Sequence, residues 1–208
     1  MMKIAVFGGT FDPPHLGHVN IVTELINSEI VDKVIILVSY RPPHKTEQKV
    51  SSFEQRCAML ELAFKNLNVN NCNKVEISKI EQERANELSY TINTLKILQE
   101  QHNNDEISLL IGSDSLMQLH TWYKAKEIVE NYKIITYPRP NYIIDETKLL
   151  KKWNKLLVTQ FLENCVQFSV ISCASSDIRE KISQKGDVSA LLSNEVLCYI
   201  INNNLYQN

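Results

Sequence analysis

The chain has few glycines, only 5 in 208 residues, no paired cysteine motif and no long apolar run. Each absence excludes something. The 5 cysteines (Cys57, Cys72, Cys165, Cys173, Cys198) show neither C-x-x-C nor any Cys/His ligand spacing, so a zinc module and a disulfide scaffold are both set aside. They read as reduced thiols. No stretch of about 18 apolar residues marks a membrane span, and the opening MMKIAVFGG meets glycine too soon for a signal peptide. A cytoplasmic protein is expected. Charge of one sign is also missing: the net charge is -2, which argues against bulk nucleic-acid or membrane-surface binding. A homo-oligomer is compatible with the sequence.

What is present suits one globular domain spanning 1–208, at 44% hydrophobic and 22% charged residues. A chain of this length buries roughly 70% of its unfolded surface and needs no covalent staple. Short apolar runs at 3–7, 34–39, 75–80, 107–111, 133–137 and 166–171 are predicted strands. Between them lie helical patterns at 16–26, 53–67, 90–101 and 145–163, with further helices from Ser175 and Ser193. The strands are apolar on both faces. That alternation predicts an α/β fold, a Rossmann-like doubly wound parallel sheet with helices on both sides and a small helical part at the end. In such sheets ligands sit at the carboxyl ends of the strands. Gly8-Gly9, Arg41-Pro42-Pro43-His44-Lys45, Gly112-Ser113-Asp114 and Pro138-Arg139-Pro140 each follow a predicted strand.

The scarce glycines make the first of these exits notable. FGGTFDPPHLGH (7–18) lets the chain turn at Gly8 and Gly9, stiffens it with Pro13 and Pro14, and opens a helix near Leu16. A helix N-terminus is a natural phosphate seat. His15 and His18 are three apart and share one face there, able to donate to phosphate oxygens. Neither G-x-x-x-x-G-K-[ST] nor G-x-G-x-x-G is present. A proline-rich turn carrying two surface histidines fits the same spacing. Near the other end, Ser175 or Ser176 is a candidate N-cap of a helix that carries Arg179.

GGTFDPPHLGH resembles the phosphate-binding segment of the nucleotidylyltransferase superfamily, H-x-G-H after a G-T-F-D strand exit. The resemblance implies that His15 and His18 contact the nucleotide phosphates and stabilise the transition state. It also implies that Gly17 keeps the helix start close to the nucleotide, and that Gly8, Gly9, Thr10 and Phe11 line the ATP site. CASSDIR (173–179) resembles the superfamily's I-S-x-T-x-I-R segment, which makes Arg179 a triphosphate contact beside Ser175 and Ser176. Cys173, Ala174 and Ser176 depart from that pattern; Ala174 lacks the usual hydroxyl.

Further motifs are similar to those of the bacterial nicotinate-nucleotide adenylyltransferases. RPPHK (41–45) matches their P-P-H-K loop, implying Lys45 as a mobile cation for the triphosphate and His44 as a lesser contact. SYTINTL (89–95) implies Thr91 as the holder of the nicotinate carboxylate, with Asn93 in place of the usual Asp. IGSDSLMQLHTW (111–122) implies that Asp114 takes ribose hydroxyls and Trp122 stacks on the pyridine ring. Arg139 in PRP implies a phosphate contact, although Asn141 replaces a glycine. The closing LLSNEVLCYIINNNLY (191–206) matches a structural helix.

The resemblance thus implies adenylyl transfer from ATP to nicotinate mononucleotide in NAD biosynthesis, with Mg2+ held mainly by the phosphates and no protein metal cage. Alternatives are another superfamily adenylyltransferase, such as the phosphopantetheine type, an enzyme preferring the amide mononucleotide, and a non-catalytic nucleotide-binding module.

Overall fold

A computed structural model describes residues 1–41, 50–65, 67, 72–84, 86, 88–140, 142–168 and 171–207. Five strands, β1 (Lys3–Gly9), β2 (Lys33–Val38), β3 (Val75–Ser78), β4 (Glu106–Gly112) and β5 (Lys133–Tyr137), form one sheet in the order β3-β2-β1-β4-β5. Every pairing in it is parallel. The order reverses at β1, which has β2 on one side and β4 on the other. The crevice of a doubly wound sheet opens at that reversal.

The predicted two-faced strands are explained by the pleat. Successive side chains alternate sides, so Ala5 and Phe7 enter one core while Ile4 and Val6 enter another. The first core is closed by α1 (Leu16–Asn27), α2 (Phe53–Phe64), α8 (Ser175–Ser183) and α9 (Asn194–Asn202) through Val22, Leu60, Ile178 and Ile200. Opposite it, α3 (Thr91–Gln101), α4 (Ser113–Gln118), α5 (Ala125–Asn131), α6 (Glu146–Leu150) and α7 (Lys155–Glu163) contribute Leu95, Leu116, Ile128, Leu149 and Phe161. Among the described residues no helix is long and apolar enough to cross a membrane.

Local chemistry sets the helix starts. Ser52 caps α2 in a reciprocal box, accepting from the Gln55 N–H at 3.2 Å while Gln55 accepts from the Ser52 N–H at 3.0 Å. Asn154 starts α7 with one such bond only, accepting from the Leu157 N–H at 2.9 Å. That cap divides the helical stretch expected over 145–163 into α6 and α7, with Trp153 folded into the turn between them.

Of the strand expected over 166–171, residues 169–170 lie outside the described residues, and among the others none is in a strand. An isolated parallel bridge pairs Thr136 with Cys165 just before them. Thr136 donates to the Asn164 carbonyl at 3.0 Å and accepts from the Val166 N–H at 2.8 Å. Beyond that point the apolar residues cover the core instead of extending the ladder: Val166 is buried and Phe168 packs against the first core, but Gln167 and Ile171 are exposed. Apolar content signalled a buried segment; it did not distinguish pairing from packing.

Leu110, fully buried at the centre of β4, and Leu156, 69% exposed on α7, test this layering. Leu110→Ala should lower the unfolding free energy by ~2–5 kcal/mol. Leu156→Ala should change it by less than about 0.5 kcal/mol. Urea unfolding of the two variants would show the difference, and equal effects would contradict the core assignment.

Candidate active site

The carboxyl ends of β1, β4 and β5 and the N-termini of α1 and α8 surround a cleft of about 430 Å³. At its floor, Gly8 faces open space, with no atom within 4 Å of where a Cβ would stand. Gly9 has a different reason: a Cβ there would lie 2.9 Å from the Phe11 ring, which folds back beneath it. Phe11 is buried at φ 53, a left-handed conformation that costs an L-residue roughly 1–2 kcal/mol. Edge-to-face contacts with Phe7 (5.5 Å) and His18 (5.0 Å) offset that cost.

The loop then delivers His15 to the N-cap of α1 and His18 to its third position. The two imidazoles stack, with centroids 3.7 Å apart. His15 is 4% exposed and His18 8%, so a turn with two surface histidines is ruled out. The His15 N–H donates to His18 Nδ1 at 3.2 Å. A nitrogen that accepts carries no proton, so His18 is neutral with its proton on Nε2. Electrostatics agree. Burial lowers His15 to about 4, helped by the Arg139 guanidinium. Burial, then His15 and Arg139, hold His18 well below the usual histidine range. Gly17 serves this pair: a Cβ on it would press on His15 Nδ1 at 2.9 Å and the Ile171 carbonyl at 3.3 Å. Gly17 is not among the residues that line the cleft, and its missing Cβ leaves room for the His15 ring.

At the opposite wall Asp114, from the first turn of α4, pairs with Arg139 at 3.1 Å. The Arg139 backbone is fixed as well, donating to Ser113 Oγ at 3.0 Å, while that hydroxyl donates to the Tyr142 carbonyl at 2.8 Å. Asp114 Oδ1 is buried without a described hydrogen-bond partner, an acceptor left over for a ligand hydroxyl. Trp122 borders the same wall. Tyr123 points away from it and stacks on Tyr90, the N-cap of α3, at 4.5 Å.

The third wall is α8. Its N-cap is Ala174, with no side-chain cap, so neither serine plays the capping part expected of it. Ser175 Oγ instead donates to the Pro13 carbonyl at 2.8 Å, and Ser176 Oγ to Asp177 at 3.0 Å. With no cap side chain across it, the first turn of α8 presents its N–H groups at the cleft, where Ala174, Ser175, Ser176 and Arg179 all form the lining. Arg179 also donates to the Asp12 carbonyl at 2.6 Å.

The structure thus brings Gly8, Gly9, Thr10, Phe11, His15, His18, Asp114, Trp122, Arg139, Ser175, Ser176 and Arg179 to one cleft. Thr91 does not line it; that residue opens α3. His44 and Lys45 lie outside the described residues. Two residues that sequence reasoning missed hold the loop in place. Arg56, buried on α2, donates to the Ser51 carbonyl at 3.1 Å and to the Thr10 and Ser39 carbonyls, both at 2.8 Å. Tyr206 donates its hydroxyl to Asp12 Oδ1 at 2.6 Å. Nothing in the helical pattern around Arg56 separates it from a solvated arginine; Tyr206 sat in the matched closing motif, where only packing was expected.

The cleft lies between two helix N-termini at the reversal of a parallel sheet, and comparison with known proteins places the chain in a family. Residues 6–181 match the cytidylyltransferase-like family model, and the chain belongs to that family. Its curated relatives narrow the class. It is 32% identical to a probable nicotinate-nucleotide adenylyltransferase of Clostridium novyi, covering 100% of both chains. It is 30% identical to the nicotinate-nucleotide adenylyltransferase of Bacillus subtilis, again over 100% of each. Within the family, therefore, the chain stands among the nicotinate-nucleotide adenylyltransferases. The fold is that of the Plasmodium falciparum nicotinic acid mononucleotide adenylyltransferase solved with NaAD, at TM-score 0.83 and 22% identity over 99% of this chain and 98% of that one.

The buried histidine couples the site to pH. Unfolded, His15 titrates near 6.5; folded, near 4. Between those values the unfolded chain holds the extra proton, so this contribution is complete above pH 6.5 and is lost as pH falls to 4. It amounts to about 3 kcal/mol. Urea unfolding from pH 7 to pH 4 should show a smaller loss of stability in His15→Gln than in the wild type. Parallel losses in the two proteins would contradict the assignment.

Proposed function

We propose that the cleft joins ATP to nicotinate mononucleotide, giving nicotinic acid adenine dinucleotide and pyrophosphate. The observation that carries this reading is the stacked, neutral His15–His18 pair at the start of α1, facing a cleft that the uncapped N-terminus of α8 also borders. It is supported by the full-length relatives. A phosphate oxygen of the mononucleotide attacks the α-phosphorus of ATP in line; the bond to the bridging oxygen breaks and pyrophosphate leaves with its electron pair. A phosphate is already ionised at neutral pH, so no general base is needed. Catalysis is positioning and charge stabilisation.

Within that scheme His18 donates from Nε2–H to an α-phosphate oxygen, beside His15. Arg179 and the first-turn N–H groups of α8 hold the β- and γ-phosphates. Asp114 accepts ribose hydroxyls through its unpartnered oxygen, and Trp122 offers its face to the pyridine ring. Arg139 contributes positive potential while orienting Asp114. The donor set here is imidazole, guanidinium and hydroxyl, with two carboxylates, Asp114 and Asp12, already engaged by Arg139 and by Tyr206; it fits a Mg2+ ion that arrives on the triphosphate and keeps its waters. That ion supplies neutralisation of phosphate charge when bound.

Mixing the protein with ATP and nicotinate mononucleotide should release pyrophosphate, and neither substrate alone should do so. Absence of pyrophosphate would leave a non-catalytic nucleotide-binding module. His18→Ala should lower kcat at least about tenfold while circular dichroism shows a folded chain. A variant with wild-type kcat would remove His18 from the transition state.

A further inference from the structure

A buried carboxylate outside the cleft has no part in the chemistry just described. Glu81, in the turn after β3, is 5% exposed. Its Oε2 accepts the Tyr40 N–H at 3.0 Å and its Oε1 accepts the Thr94 hydroxyl at 3.1 Å. Both donors are neutral, and Thr94 is 1% exposed. Burying a carboxylate is expensive unless its hydrogen bonds fix something that matters.

The two donors belong to two elements beside the cleft, neither of which lines it. Tyr40 lies in the exit of β2, whose neighbour Ser39 donates to the Gly9 carbonyl at 2.9 Å and accepts from Arg56 at 2.8 Å. Thr94 lies one turn beyond Thr91 on α3, and so on the same face. A second strap runs parallel: the Arg41 N–H donates to Ser89 Oγ at 3.0 Å and the Ser89 N–H to the Arg41 carbonyl at 3.1 Å. Residues 39–41 are thereby tied on one side to the phosphate loop and on the other to the start of α3. The Tyr90–Tyr123 stack carries the connection on to the segment bearing Trp122.

We infer that Glu81 is a positioning residue for the mononucleotide half of the site, setting the start of α3 against the exit of β2 and the phosphate loop. The inference rests on the function proposed above. It concerns one substrate more than the other, because the path through Tyr90 and Tyr123 ends beside Trp122, whereas α1, α8 and the β1 exit have further ties of their own in Asp12, Arg56 and Ser175.

Steady-state kinetics with ATP and nicotinate mononucleotide test it. Glu81→Ala should raise KM for the mononucleotide about tenfold and change KM for ATP less than about twofold. Glu81→Gln should restore the mononucleotide KM. Its amide oxygen accepts from Tyr40, and its amide nitrogen donates to the Thr94 hydroxyl, which rotates to accept. Thr94→Val removes one bond only and should shift KM in the same direction, with the Glu81→Ala/Thr94→Val pair less than additive. Should Glu81→Ala fail to fold, Thr94→Val carries the same split. Equal rises in both KM values, or a lowered Tm with both unchanged, would overturn the inference and leave Glu81 a structural residue. A wild-type protein that releases no pyrophosphate from this substrate pair would overturn the proposed function itself, and this inference with it.

Discussion

Asp12 is the point on which the phosphate loop hangs. Its carboxylate is 2% exposed and takes the Tyr206 hydroxyl, at 2.6 Å, and the Ser51 N–H, at 3.4 Å. Its carbonyl takes Arg179. Arg56 is near enough for the two charges to act on each other, Asp12 opposing the effect of burial on the guanidinium. One residue therefore collects ties from α2, from α8 and from the chain's last turn, segments far apart in sequence. A buried carboxylate is tolerated only when its acceptor capacity is met, and here meeting it is what closes the loop over the first core. The left-handed Phe11 just before it is held by the same enclosure, since its ring has Phe7, Gly9 and His18 around it.

That arrangement explains which parts of the molecule were legible in the sequence. The sheet was readable because strands buried on two faces leave long apolar runs, and 133–137 coincided with its strand. The cleft was readable where chemistry needs unusual residues: glycines at a strand exit, histidines three apart, an arginine on the last phosphate-facing helix. Ties made by ordinary residue types left no mark. Arg56, Glu81 and Tyr206 are spaced like surface or packing residues, and only the fold shows that each reaches a carbonyl, an N–H or a carboxylate elsewhere. Ser175 does not cap its helix and donates to the Pro13 carbonyl, and the room at Gly17 is taken by the His15 ring, because a motif reports position and not which neighbour fills the space. The run at 166–171 misled for a related reason, since apolar residues cover an edge as well as they extend it.

The neutrality of the histidine pair follows from competition between two effects. An exposed imidazole at neutral pH is already partly protonated, and a phosphate site would gain from that charge. Here burial, the partner ring and Arg139 all oppose it. The N-terminus of α1 acts in the same direction, because its dipole disfavours a cation. The cleft thus holds its imidazoles as oriented donors, not as fixed charges, and avoids stacking two imidazolium rings 3.7 Å apart.

Arrival of a triphosphate uses that arrangement without changing the geometry. Four negative charges at the cleft would meet Arg139, the helix dipole and the neutral imidazole N–H donors, with His18 Nδ1 still accepting from the His15 N–H. The donors are already aimed, because the His15 N–H fixes the His18 ring and Gly17 leaves room for the His15 ring. Little reorganisation is then required when the charge appears, which is the condition under which fixed dipoles stabilise a transition state more than they stabilise a ground state. The scarcity of glycine acquires its sense in that setting: four of the five stand at strand exits or a helix start around this cleft, and Gly17 leaves the room that the His15 ring occupies.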